Sequence, residues 1–92
     1  MPRAKASHIL VPTQQECETL KQKIEGGADF AEVAKQHSKC PSGKQGGALG
    51  EFGPGQMVAE FDKVVFTGEV GKVLGPVKTQ FGYHLIKITS RA

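Results

Sequence analysis

A chain of 92 residues, 38% hydrophobic and 23% charged, has the size of one compact domain and enough apolar content to fold, which excludes a disordered tail and leaves no room for a second domain. Twelve basic and nine acidic residues give a formal net charge of +3 with the signs interspersed, so neither nucleic acid nor a membrane surface is an expected partner. Two cysteines are too few for a disulfide framework, and no apolar stretch approaches the length of a membrane span.

The first strand is expected over residues 4–11, where Ala6, His8 and Leu10 alternate with Ser7, Ile9 and Val11; Pro12 ends it. Thr13 and Glu16 form a capping box for a helix with the stripe Cys17, Leu20 and Ile24, closed by Gly26 and Gly27. Asp29 and Glu32 repeat that start for a second helix bearing Phe30, Val33, Ala34 and His37. Pro41 should stop it, because Cys40 before a proline is pushed out of helical geometry. Residues 40–55 are rich in Gly and Pro but carry Leu49 and Phe52, so they read as a packed functional loop with a very short strand around Glu51 and Phe52. Helical spacing returns over 57–66 through Val58, Phe61 and Val65. A strand interrupted by Gly75 and Pro76 is expected over 73–79, at an edge or a bend. The clearest strand runs over 83–89, with His84, Ile86 and Ile88 on one face. The order gives an α+β class: a small, mainly antiparallel sheet with the first and last strands paired centrally and helices packed around it.

Two strands that meet centrally would bring His8 and His84 together on the core side, one imidazole donating to the other. Two unrelated core histidines fit the same spacing. Cys40 with two histidines suggests a nucleophile and base, or three zinc ligands, but no C-x-x-C, H-E-x-x-H or catalytic-cysteine signature accompanies it, and a loop thiol without a role fits as well. Leu49, Met57, Phe61 and Phe81 are core or groove candidates, Met57 because a flexible thioether between a Gly-Pro-Gly-Gln run and a helix suits a groove wall. The glycine loop lacks both phosphate-binding patterns, so no nucleotide site is expected.

The order of motifs is informative as a whole. Ala6-Ser7-His8-Ile9-Leu10 is followed by His37-Ser38-Lys39-Cys40-Pro41-Ser42-Gly43 and Gly46-Gly47-Ala48-Leu49-Gly50. Then come Phe52-Gly53-Pro54-Gly55-Gln56-Met57-Val58-Ala59-Glu60-Phe61, Gly75-Pro76-Val77 and Phe81-Gly82-Tyr83-His84-Leu85-Ile86. Across essentially its whole length the chain resembles the parvulin family of peptidyl-prolyl cis/trans isomerases, most closely its small single-domain bacterial members. The resemblance implies one domain over 1–92 with the FKBP-like fold, a four-stranded antiparallel sheet surrounded by four helices. It implies that His8 and His84 are paired central histidines supported by the Thr79 hydroxyl, with Cys40 beside the bond that rotates. Leu49, Met57 and Phe61 would hold the substrate proline ring, Phe81 would form the rim, and Gln56 and Val58 would touch the substrate backbone.

Two departures stand out. The acidic residue usual before the Leu-Gly of the glycine loop is Ala48 here. Phosphate-directed relatives carry a basic loop after the first strand, whereas Val11-Pro12-Thr13-Gln14 is short and uncharged, so selection for phosphorylated Ser/Thr-Pro is not expected. The resemblance therefore implies a non-covalent isomerase of proline-containing polypeptides that assists folding, without cofactor or metal, as a monomer. A peptide-binding chaperone module without turnover is the alternative. Because Met1-Pro2-Arg3-Ala4-Lys5 has no apolar core, no secretory signal is expected and a cytoplasmic location follows.

Overall fold

The computed structural model describes residues 3–91; Met1, Pro2 and Ala92, and with them part of the reading of the N-terminal start, lie outside the described residues. The elements run β1 (Ala4–Val11), α1 (Gln14–Glu25), α2 (Phe30–His37), a 3-10 turn (Pro41–Gln45), β2 (Ala48–Phe52), α3 (Ala59–Thr67), β3 (Val73–Thr79) and β4 (Gly82–Arg91). The four strands form one antiparallel sheet in the order β2-β1-β4-β3, so the first and last strands are its central pair.

Alternation along β1 and β4 splits the interior in two. Ile9, Val11 and Leu85 face α1 and α2, where they pack with Cys17, Leu20, Phe30, Val33 and Ala34. Ala4, Ala6, Ile86 and Ile88 face the opposite way, onto Phe52 and the α3 residues Phe61 and Val65. Ile9, Leu85, Ile86 and Ile88 are wholly buried, each removing enough apolar surface from water to stabilise the fold by ~1.5–3 kcal/mol.

The helix starts follow their caps. The Thr13 hydroxyl accepts from the Glu16 N–H, and an Asp29 carboxylate oxygen accepts from the Glu32 N–H, both at 3.2 Å. The guanidinium of Arg91 donates to the carbonyls of Val65 (3.0 Å) and Gly68 (2.6 Å), placing a cation at the α3 C-terminus, where orphan carbonyls favour it.

Several boundaries differ from expectation. The described residues contain three α-helices, and the fourth helix of the expected fold is the five-residue 3-10 turn. Its N–H groups reach back three residues, Gly43 to Cys40 and Gly46 to Gly43. Gly46 and Gly47 then take φ of 74° and 84°, which ends any helical continuation. Helix α2 stops at His37 rather than at Pro41, because the chain leaves it to pair with the β1 edge: the Leu10 N–H donates to the Ser38 hydroxyl and the Lys39 N–H donates to the Leu10 carbonyl. β2 is longer than the expected Glu51–Phe52 step, and β3 is an edge strand whose register shifts between Leu74 and Val77, around Gly75 and Pro76.

Candidate active site

The central strand pair sets the site. His8 lies opposite Ile86 and His84 opposite Leu10, so the two histidines are diagonal neighbours on the α3 face of the sheet. Their Nδ1 atoms are 3.0 Å apart and the ring planes differ by 17°. The centroid separation of 5.2 Å suits rings meeting edge to edge through an N–H···N bond rather than face to face. On its far side, His84 Nε2 lies 2.8 Å from the Thr79 hydroxyl, which also accepts the Phe81 N–H at 3.2 Å.

All three side chains are buried: His8 is 6% exposed, His84 4% and Thr79 7%. Burial lowers the His8 pKa to about 4, with repulsion from His84 a second cause, and burial lowers that of His84 as well. Both rings are therefore neutral at neutral pH, and one Nδ1 donates while the other accepts. If His84 donates, its Nε2 accepts the Thr79 O–H; if His8 donates, His84 carries its proton on Nε2 and the Thr79 oxygen accepts it. Either arrangement completes the chain from His8 through His84 to Thr79.

Phe61 stands edge-on to both imidazoles, 5.6 Å from His8 at 84° and 6.0 Å from His84 at 83°. Phe52 backs it at 6.2 Å. Above this floor opens a pocket of about 380 Å³ bounded by His8, Leu10, Lys39, Cys40, Pro41, Leu49, Met57, Val58, Phe61, Phe81 and His84. Phe61 is nearly buried as the floor, Met57 and Val58 are half-buried in the wall, and Phe81 is 62% exposed at the rim, where a two-residue turn joins β3 to β4.

The wall carrying Cys40 is held against β1. The Ser38 hydroxyl accepts from Leu10 and, at 3.4 Å, from Cys40 itself, while the His8 N–H donates to the Gly47 carbonyl at 2.9 Å. Gly47 has φ of 84°, and a side chain there would run into the His8 carbonyl oxygen, so only glycine lets the loop approach the strand so closely.

The pocket thus gathers His8, His84, Cys40, Leu49, Met57, Val58, Phe61 and Phe81 from the expected residues. Thr79 sits behind His84 and supports it without lining the pocket. Gln56 is exposed and lies outside the lining, and its side-chain carbonyl turns back to accept the Gly53 N–H at 3.0 Å. A glutamine inside a Gly-Pro-Gly turn has the turn's own N–H groups within reach, so it closes the loop instead of projecting from it. Leu10, Lys39 and Pro41 line the pocket without having been singled out. Leu10 was readable as the next residue on the His8 face, and Lys39 and Pro41 as the neighbours of Cys40. Among the described residues no three His, Cys, Asp or Glu side chains gather as a metal site. The two Nδ1 atoms are committed to each other.

An antiparallel sheet with a neutral histidine pair at its centre, roofed by an apolar hollow with a thiol in its wall, defines a parvulin-like α+β domain. A family model described as "Rotamase: PPIC-type PPIASE domain" matches residues 5–90, and the chain belongs to this family of peptidyl-prolyl isomerase domains. Among similar proteins, the "Foldase protein PrsA" of Geobacillus sp. (strain WCH70) is 50% identical over 91 residues, covering 98% of this chain and 33% of the relative. The structure of PrsA from Bacillus anthracis superposes with a TM-score of 0.96 at 41% identity, over 99% of this chain and 42% of that one. NmPin, described as the parvuline of Nitrosopumilus maritimus, has a TM-score of 0.88 at 40% identity over 98% of both chains. The chain spans about a third of the length of the curated relatives it matches.

Proposed function

We propose that this chain accelerates cis/trans rotation about X–Pro bonds in flexible or unfolded polypeptides by a non-covalent route, and thereby assists their folding. The single observation that carries the reading is the open apolar hollow set directly on the neutral His8–His84 pair, with Cys40 in its wall.

Rotation about X–Pro meets a barrier of ~18–20 kcal/mol from amide resonance and takes tens of seconds unaided. Lowering the barrier by about 7 kcal/mol gives roughly 10⁵-fold acceleration. No bond has to break. Twisting the amide removes resonance and with it charge from the carbonyl, so an apolar surround favours the twisted form over the planar one. Leu49, Met57 and Phe61 would grip the proline ring, with Val58 and Phe81 completing the wall and rim. The histidines hold the floor and keep it uncharged. Cys40 acts as a polar neighbour of the rotating carbonyl. The short, uncharged turn after β1 supports a substrate range that does not depend on phosphorylation.

The test is an exchange measurement by NMR on a short proline peptide. Catalytic line broadening is expected, and it should persist in Cys40→Asp, which keeps a polar group and removes the thiol nucleophile. Activity confined to the thiol would overturn the non-covalent route. Binding without acceleration would make the domain a peptide-holding module, a use that the 62% exposed Phe81 would serve. The proposal extends to a monomeric, cytoplasmic protein, supported by interspersed surface charge and by Cys17 and Cys40 being outside any disulfide. Sedimentation and cell fractionation test those two points.

A further inference from the structure

The pocket offers a bound peptide one formal charge. Every lining side chain is apolar or neutral except Lys39, and no acidic residue lines the wall. The Lys39 backbone is fixed: its N–H donates to the Leu10 carbonyl at 2.7 Å, and Cys40 beside it is tied to the Ser38 hydroxyl. The side chain itself is exposed. The ion pairs among the described residues lie elsewhere, Arg3 with Glu51, Lys35 with Glu32 and Lys72 with Glu69, and Asp62 is occupied by the Gly55 N–H. A lysine with an exposed side chain on a fixed backbone therefore borders an apolar hollow, and among the described residues no carboxylate forms an ion pair with it.

We propose that Lys39 sets a substrate preference for an acidic residue immediately before the proline, an inference that rests on the reading of this pocket as a proline site. The rotating carbonyl belongs to the residue preceding the proline, and Cys40 is placed beside it. The side chain of that preceding residue consequently emerges next to Lys39, where a carboxylate is attracted and an ammonium repelled. The charge sits on the segment after α2, not in the turn after β1, so it acts on any carboxylate and offers none of the bidentate donors that select a phosphate. Because the group is solvated, the preference is modest and sensitive to salt.

The experiment uses three peptides, Ala-Glu-Pro-Phe, Ala-Gln-Pro-Phe and Ala-Lys-Pro-Phe, with isomer exchange followed by NMR. At low ionic strength kcat/KM should fall in the order Glu, Gln, Lys, spanning about tenfold, and high salt should shrink the span to about twofold. Lys39→Gln should flatten the series and Lys39→Glu should invert it. Lys23→Glu, on the exposed side of α1, makes the same change in net charge and should leave the order intact. Equal rates for the three peptides, or an order that survives Lys39→Glu, would overturn the proposal while leaving the isomerase reading standing. If none of the peptides is accelerated, that reading fails instead, and the charge preference is read from titrations followed at the Met57 and Phe61 amides. Tighter binding of the Glu peptide supports it and equal binding overturns it.

Discussion

The two faces of the sheet are built from alternate residues of the same two strands, yet they do opposite things. On one face Ile9, Val11 and Leu85 are sealed under α1 and α2. On the other, α3 covers Ala4, Ala6, Ile86 and Ile88 and reaches His8 and His84 through Phe61, beside which a hollow opens. A one-residue change of register along β1 or β4 would exchange the two sets. The closed face thus does more than stabilise: it pins the register that delivers both imidazoles to the open face. Truncation should accordingly cost stability on the closed face and turnover on the open one.

Leu85→Ala gives the largest effect. Removing a wholly buried side chain between β4 and the two helices should destabilise the fold by about 3 kcal/mol, read as a lowered denaturant midpoint. The fraction that remains folded should keep its kcat/KM. Met57→Ala, on the half-buried wall of the open face, should do the reverse: less than about 1 kcal/mol of stability and roughly a tenfold loss of kcat/KM. Equal stability losses would erase the distinction between the faces.

Acid tests the open face alone. The folded-state pKa of His8 is lowered to about 4 and that of His84 is lowered too, so between there and the unfolded value of 6.5 the unfolded chain binds more protons. Stability is therefore complete above pH 6.5 and falls as pH drops toward 4, by about 3 kcal/mol for His8 alone. Most carboxylates stay ionised through the upper part of that window, so a slope between pH 6.5 and 5 belongs to histidine. A Tm that stays flat from pH 7 to pH 5 would mean that one ring of the pair is charged in the native state.

Thr79→Val probes how that neutral pair is supported. The substitution keeps the shape and deletes the hydroxyl that meets His84 Nε2 and accepts the Phe81 N–H. Leaving a buried ring nitrogen without a partner should cost about 2 kcal/mol, against almost nothing for a threonine whose hydroxyl can be replaced by water. Denaturant unfolding distinguishes the two outcomes.

The legibility of the sequence follows the same division. Period-two alternation located β1 to the residue and β4 to within two residues at either end, the strand expected over 83–89 running over Gly82–Arg91, and put His8 and His84 on one face, because a buried sheet punishes any other register. Caps located α1 and α2, since Thr13 and Asp29 act on N–H groups three residues away. What stayed hidden was decided by contacts distant in sequence. The end of α2 at His37 depends on the Leu10 backbone, and β2 includes Ala48 and Gly50, poor strand formers that are held by pairing with β1. The expected helix over 57–66 begins only at Ala59, which frees Met57 and Val58 to line the pocket before α3 starts. The histidine pair was readable from spacing as one of two options, and the geometry of the Nδ1 contact decides between them.

Gln56→Ala gives the smallest effect and the sharpest test of how the open face is shaped. The Gln56 carbonyl oxygen accepts the Gly53 N–H, and one residue earlier the Gly55 N–H donates to an Asp62 carboxylate oxygen at 3.0 Å. The turn before Met57 is thus fastened at one end to itself and at the other to the first turns of α3. In the variant the Gly53 N–H loses its partner, and Gly53 is buried although Gln56 is exposed, so the cost is about 1 kcal/mol. Turnover should fall less than threefold, and Gln56→Ala combined with Asp62→Ala, which leaves the Gly55 N–H no side-chain acceptor there, should fall further than the product of the two single changes, because both bonds restrain the same Met57. A residue in contact with the substrate backbone would behave differently: kcat/KM would drop about tenfold with stability unchanged, and the effect would multiply independently of Asp62. The coupling between the two substitutions therefore separates a glutamine that shapes the wall of the pocket from one that touches what the pocket holds.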